Sequence, residues 1–207
     1  MLFDEFLNHR LALSAQPTIN QLELLQKVSK HRVDKIPNSE HPPKQAGVLA
    51  LIYPKDQESH IALMLRESYK GVHSAQVSFP GGKKEKNDID LYQTALREAG
   101  EELSIQAQHV HLVRKLNKVY IPPSNFMVSP FLSYSNKRPD FKSNYEVAEL
   151  IELPLKVILD KENIKEDYIN FSDGLKVKTQ YFSFKDYQIW GATAIMLLEI
   201  RAHILGL

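Results

Sequence analysis

The chain has 207 residues, 43% of them hydrophobic and 25% charged, with a formal net charge of +1 and no cysteine. That length suits one domain with some elaboration, and the composition supports a packed core rather than disorder. Near-neutral charge excludes a strong field for nucleic acid or an anionic membrane. The lack of cysteine excludes disulfides, thiolate metal sites and cysteine nucleophiles, so any metal must be held by oxygen or imidazole.

Acidic residues enter at once in the N-terminal MLFDEFLNHR, unlike a secretory signal. The longest apolar runs, such as residues 48–53, fall far short of the about 20 residues of a membrane helix. The expectation is a soluble cytoplasmic protein with no membrane partner. Residues 2–15 carry Leu2, Phe3, Phe6, Leu7, Leu11 and Leu13 at mostly helical spacing. Thr18 or Asn20 is placed to cap a second helix holding Leu22, Leu24, Leu25 and Val28. Three prolines in residues 34–44 mark an extended arm. The division expected is an N-terminal helical segment and arm over 1–44 and a folded domain over 45–207.

Gly47–Tyr53 reads as a buried strand, Pro54–Gln57 as a turn and His60–Leu65 as its hairpin partner. Residues 66–75 are polar and loop-like, and Gln76–Phe79 is a short strand leading into Pro80-Gly81-Gly82. A helix follows with Asn87 or Asp88 as N-cap. At 100° per residue Leu91, Ala95, Ala99 and Leu103 share one face, with Glu98, Glu101 and Glu102 beside them. Val110–Ile121 is a long β-like run ended by Pro122-Pro123, and Phe126–Tyr134 is another strand. Glu146–Leu153 is a strand before Pro154, Lys156–Leu159 opens a short helix, and Val177–Phe184 is again a strand. Trp190–Leu207 is a C-terminal helix with Ile195, Leu198, Ala202 and Leu205 on its apolar face. Strands on both sides of one central helix, with a helix at the end, point to an α+β fold or a mixed sheet between helices.

The chemistry concentrates in residues 79–105. A solvated acidic face is the commoner explanation of a lone Glu-x-x-Glu-Glu. Here the glutamates occupy the C-terminal half of the helix, where they oppose its dipole and repel one another. Each like-charged pair costs roughly 0.2–0.5 kcal/mol, which a bound Mg²⁺ or Mn²⁺ would turn into attraction. Arg97 supplies a fixed cation able to orient a carboxylate or the loop. Gly81-Gly82 allows a close backbone approach to the site.

The run Gly82…Arg97-Glu98-Ala99-Gly100-Glu101-Glu102-Leu103-Ser104-Ile105 resembles the Nudix box, G-x5-E-x7-R-E-U-x-E-E-x-G-U, where U is bulky and apolar. Arg97, Glu98, Glu101, Glu102 and Ile105 match it. Fifteen steps rather than fourteen separate Gly82 from Arg97, Asp88 replaces the early glutamate, Ala99 is small for its slot and Ser104 stands for the late glycine. The longer loop is similar to that of the coenzyme A pyrophosphatase branch of Nudix hydrolases, which carries F-P-G-G, a later acidic residue and A-L-R-E. That branch has an upstream motif, L-L-T-x-R-[SA]-x3-R-x3-G-x3-F-P-G-G. Leu63, Arg66 and Phe79–Gly82 agree with it, while Glu67, Gly71 and Ala75 depart. Tyr145-Glu146-Val147, Ile151–Leu155 and Trp190–Ala194 continue the likeness.

The resemblance implies the Nudix α/β/α sandwich, a mixed β-sheet between helices, and water attack on a substituted nucleoside diphosphate. Arg97, Glu98, Glu101 and Glu102 take the catalytic positions. Glu98, Glu101 and Glu102, with the Gly82 turn, take the metal positions for Mg²⁺ or Mn²⁺. Glu102, Glu101 or the outlying Glu146 is the general base. Arg66, Lys70, His73, Phe79 and Gly81 are placed for substrate binding, and Lys70 can supply the charge of the missing arginine. Lys83, Lys84 and Lys86 can meet phosphates, and Tyr120, Tyr134 or Trp190 can stack on adenine. The branch substrate is coenzyme A or an acyl derivative. A Nudix hydrolase of ADP-ribose, another nucleotide sugar or a dinucleotide, and a non-catalytic Nudix-fold binding module, are the alternatives. The partner expected is a small nucleotide, and an N-terminal arm on a small domain is consistent with a homodimer.

Overall fold

The computed structural model describes residues 1–9, 42–67, 76–170 and 176–206. The expected second helix and the substrate candidates Lys70 and His73 lie outside these. The apolar run at Gly47–Tyr53 sits within a longer strand, β1 (Lys44–Lys55). Leu49, Leu51 and Tyr53 belong to one core cluster and Ala50 and Ile52 to the other. Alternate residues point to opposite faces of a strand, so β1 is covered on both faces and reads as continuously apolar.

β1 turns into β2 (Glu58–Arg66) through Asp56 and Gln57, both left-handed with φ of 50° and 65°. Such a pair closes a two-residue hairpin. The turn is therefore shorter than expected, and Pro54 and Lys55 pair with Ser59 and Glu58. The two strands then diverge. β3 (Val77–Ser78) pairs with β2 at Met64 and Leu65, and β4 (Gly81–Lys83) pairs with β1 at Ala46–Val48. The Phe79–Gly82 turn is held in that opening, with the Phe79 ring 1% exposed in the core.

On the other side of β1 lies β7 (Phe126–Tyr134), parallel to it from Lys44↔Phe126 to Ile52↔Tyr134. β8 (Val147–Pro154) runs antiparallel to β2. The long run expected over 110–121 is two strands, β5 (His111–Lys115) and β6 (Val119–Ile121), both paired with β7. The break has a cause: Asn117 N donates to the buried Glu199 Oε1 at 2.9 Å, and Asn117 Nδ2 to the same oxygen at 3.0 Å. The result is a mixed sheet of eight strands.

Helix α2 (Leu91–Leu103) covers one face through Ala95, Ala99 and Leu103. The other face is covered by α1 (Phe3–His9), α3 (Leu155–Leu159) and α4 (Gly191–Leu205), whose apolar residues share one cluster. Phe3 and Phe6 thus place the first helix in the core of the folded domain. The α2 N-cap is Asp90, whose side chain accepts from Gln93 N at 2.8 Å, not Asn87 or Asp88. Of the expected α4 face Ala202 is buried, Ile195 and Leu198 are partly buried and Leu205 is exposed, while Ala194, Leu197, Ile200 and Ile204 lie in the core. The apolar residues of α4 run all round it, so their spacing selects no face. A second, three-stranded sheet joins β9 (Ile164–Asn170), β10 (Lys176–Phe184) and β11 (Tyr187–Ile189). Only β10 was expected; β9 carries three consecutive charged residues, Lys165, Glu166 and Asp167, among its seven, and β11 is three residues long.

Candidate active site

Three glycines let α2 and the turn close on one another. A Cβ on Gly47 would lie 2.1 Å from Leu91 O, so β1 has no room for a side chain beneath the helix start. Gly81 has φ +148°, and a Cβ there would lie 2.4 Å from Gly47 O and 2.6 Å from Val48 Cα. Both the conformation and the space demand glycine. A Cβ on Gly82 would lie 2.4 Å from Glu98 Cδ and 2.5 and 2.6 Å from its carboxylate oxygens. The Glu98 carboxylate therefore rests directly over Gly82.

Glu102 enters the same opening from one turn further along α2. Its Oε2 accepts from Gly81 N at 2.7 Å and its Oε1 from Arg66 NH1 at 3.2 Å. The side chain is 3% exposed. Burial pushes its carboxyl up to about 7, against the opposing pull of the Gly81 N–H and Arg66. Burial also raises Glu98, opposed by Arg97. Arg66 NH2 reaches Glu146 Oε2 at 3.3 Å, so one guanidinium joins Glu102 to Glu146. Glu101 is more exposed and meets Arg97 NH1 at 3.3 Å.

Arg97 organises the loop. Its Nε and NH2 bond Asp88 Oδ1 and Oδ2 at 3.0 and 3.1 Å, and NH2 also reaches Glu98 Oε1 at 3.0 Å and Lys83 O at 3.2 Å. Asp88 also accepts from Glu85 N and Thr94 Oγ1. The hydrogen bond from Arg97, with Glu85 N–H and Thr94 adding to it, holds Asp88 well below the usual carboxylate range, although its burial opposes this. The shorter aspartate thus reaches Arg97 from a loop one residue longer than the family pattern. Ser104, at the late glycine position, is the left-handed C-cap of α2 with φ 57° and ψ 28°.

The structure brings together Gly81, Gly82, Arg66, Arg97, Glu98, Glu101, Glu102 and Glu146. Phe79 supports the turn from the core side. Tyr120 and Tyr134 lie on β6 and β7, across β1 from the glycine turn, and Trp190 is the N-cap of α4. Two contacts were not expected from sequence. Arg66 is bonded to carboxylates of the site, which a strand-end arginine alone does not reveal. Asn144 aligns Glu146: its Oδ1 accepts from Glu146 N at 2.8 Å, while Asn144 N donates to Glu102 O at 3.0 Å. An asparagine two residues before Glu146 is the available signal for such a turn.

Among the described residues no three acidic or imidazole groups already form a metal cage. Glu98 is turned to Arg97, and Glu102 to Gly81 and Arg66. The donors are nonetheless all oxygen, lie on adjacent turns of one helix and face a turn with no side chain in the way. That set fits a hard divalent cation that keeps waters and shares substrate phosphates.

The NUDIX domain profile matches residues 43–171. Nudix hydrolase 15, mitochondrial, of Arabidopsis thaliana is 33% identical over 165 residues, which cover 76% of this chain and 57% of that protein. Nudix hydrolase 22, chloroplastic, of the same plant is 32% identical and is covered to 54%, so the chain spans little more than half of either. A Yersinia pestis (strain Pestoides F) protein named uncharacterized Nudix hydrolase NudL is 30% identical over 78% of this chain and 80% of its own length. Among solved structures, a C. elegans Ap4A hydrolase binary complex aligns over 54% of this chain and 80% of that chain at 18% identity, with a TM-score of 0.47. No described helix is long and apolar enough to cross a membrane. The matched profile spans the β1–β2 hairpin, the glycine turn and the whole of α2, and on that ground the chain belongs to the Nudix hydrolase family.

Proposed function

We propose that this protein hydrolyses a nucleoside-diphosphate-linked substrate with the help of a divalent cation, Mg²⁺ or Mn²⁺. Coenzyme A or acyl-coenzyme A, cut to phosphopantetheine and adenosine bisphosphate, is the first candidate. Nudix hydrolases generally use divalent metal ions. The observation that carries the reading is the seating of Glu98 on Gly82 with Glu102 held by the Gly81 N–H. A structural acidic face would be solvated; this one is turned inward at a cost in desolvation.

Glu98, Glu101 and Glu102 would hold the ion. A divalent ion there would neutralise phosphate oxygens and acidify the attacking water. The residues supply the rest. Arg97 fixes Asp88 and Glu98, and so the loop against the helix. Glu146, bonded to Arg66 and with a side chain 42% exposed, is the base we favour for accepting a proton from water. Arg66, at the end of β2, is placed to meet a phosphate by paired hydrogen bonds. In the reaction one P–O bond of the diphosphate breaks, and water supplies the new oxygen and the proton that the leaving phosphate takes up.

The coenzyme A assignment rests on Phe79–Gly82, Arg66 and the longer loop. Glu67, Gly71 and Ala75 depart from the branch motif, which favours ADP-ribose or a dinucleotide as the second reading. We place the hydrolase domain at 45–207, with α1 of the N-terminal segment packed into its core, and read the compartment as cytoplasmic. A panel of coenzyme A, ADP-ribose and diadenosine polyphosphate with Mn²⁺, followed by chromatography of the products, decides between them. Adenosine bisphosphate from coenzyme A supports the first reading. Cleavage of ADP-ribose with no product from coenzyme A transfers the assignment to the second.

A further inference from the structure

We propose that Arg66 is the resident counter-cation of Glu102 and Glu146, exchanged for the divalent ion when the site loads and released to the phosphates of the substrate. The inference rests on the metal-site reading above and adds to it a competition within the protein itself.

Four observations carry it. First, one guanidinium spans two carboxylates, at 3.2 Å from Glu102 Oε1 and 3.3 Å from Glu146 Oε2. Among the described residues no other cation pairs with either. Second, both oxygens of Glu102 are engaged, Oε2 by the Gly81 N–H and Oε1 by Arg66, so an ion that approaches Oε1 meets the guanidinium. A guanidinium and a divalent ion on the same oxygen repel each other. Third, the carboxylates as they stand form no ready cation cage among the described residues, as expected where a side chain already neutralises them. Fourth, Arg66 is the last residue of β2, and the ladder to β8 shifts register between Leu65 and Arg66. Such bulges re-aim a side chain next to a site. The side chain is partly exposed, at 21%, so it has a path outward.

The consequence is linkage. Substrate that captures Arg66 frees Glu102 for metal and Glu146 to act as base, and metal that takes Glu102 frees Arg66 for phosphate. By reciprocity each tightens the other. A brace that merely orients the carboxylates predicts the opposite sign when it is removed.

The test is Mn²⁺ binding to the metal-free protein, followed by calorimetry, for wild type, Arg66→Gln and Arg66→Lys. Exchange predicts Mn²⁺ bound at least tenfold more tightly by Arg66→Gln, with Arg66→Lys in between because a lysine cannot bridge two carboxylates as a fork does. Lys86→Gln, which removes an equal charge from the exposed loop, should change the affinity less than twofold. The gain in Mn²⁺ affinity on adding α,β-methylene-ADP should be smaller in Arg66→Gln than in wild type. Equal or weaker Mn²⁺ binding by folded Arg66→Gln overturns the exchange and leaves the metal site standing. Failure of every protein to bind millimolar Mn²⁺ removes the metal site and the exchange with it. If Arg66→Gln does not fold, the side-chain Nε–H resonance of Arg66 in wild type gives the answer. It should shift on titration with Mg²⁺, and an unchanged resonance at saturation overturns the proposal.

Discussion

Replacing Gly82 by alanine separates the chemistry of the site from the stability of the fold. The new methyl carbon would stand 2.4 Å from Glu98 Cδ and within 2.6 Å of both its oxygens. Carbon atoms pack at about 3.5–4.0 Å, so the carboxylate must retreat by roughly 1 Å or more. The obstacle is the end of a side chain, and Gly82 carries no left-handed φ, so the backbone need not move. The stability at stake is chiefly the Glu98–Arg97 contact, worth about 1 kcal/mol or less for a partly exposed pair. At this chain length that shifts Tm by roughly 2–4 °C. A displacement of about 1 Å in a catalytic group costs on the order of 100-fold in rate. Gly82→Ala should therefore unfold within about 4 °C of wild type while kcat/KM on the best substrate of the panel falls about 100-fold. Activity within threefold of wild type would refute the placement of Glu98 at the reacting centre.

Gly81→Ala should behave differently: its Cβ meets backbone atoms at 2.4 and 2.6 Å in a left-handed conformation, and we expect a loss of at least about 3 kcal/mol in urea unfolding. Ser104→Gly should stabilise the protein by about 1 kcal/mol, because Ser104 adopts φ 57° at the C-cap of α2, a conformation that costs a non-glycine residue about 1–2 kcal/mol; an unchanged urea midpoint would contradict this. The metal-free protein should lose stability as pH rises. Glu102 titrates at about 7 when folded and at about 4.3 when unfolded, so between those values only the folded state binds the extra proton. Its contribution is full below about pH 4.3 and is lost as pH rises through about 7, a fall of roughly 4 kcal/mol at most. Glu98 adds in the same direction. The gap between urea midpoints at pH 5 and pH 8 should be smaller in Glu102→Gln than in wild type, and the same proton should make Mn²⁺ binding tighten with pH up to about 7.

Much of this site could be read before the structure because its determinants are local. Glu98, Glu101, Glu102 and Arg97 share one helix, and the glycines precede it at a spacing that only a turn satisfies. The departures from the family pattern became intelligible only in three dimensions. Asp88 reaches Arg97 because the loop is longer, and Ser104 bears the left-handed cap directly. Arg66, Asn144 and Glu146 are separated from α2 by tens of residues, and no periodicity links them. Their contacts depend on the divergence of β1 from β2 and on the loop tied to the last carbonyls of α2. In the fold, β1 and α2 were evident from unbroken apolar or amphipathic runs. β9 and β11 were not, since one is charged and the other very short. The division of residues 110–121 into two strands depends on Glu199, some 80 residues away, and the buried face of α4 is set by its neighbours because its apolar residues run all round it.

Turnover by Glu102→Gln decides whether the carboxylates of α2 drive hydrolysis of a diphosphate. Purified wild type and Glu102→Gln are given Mn²⁺ and the substrate the panel selects, with circular dichroism confirming equal folding. Product is expected from wild type, with a loss of at least about 100-fold in the variant. A folded Glu102→Gln that turns over at the wild-type rate would contradict that role of the carboxylates.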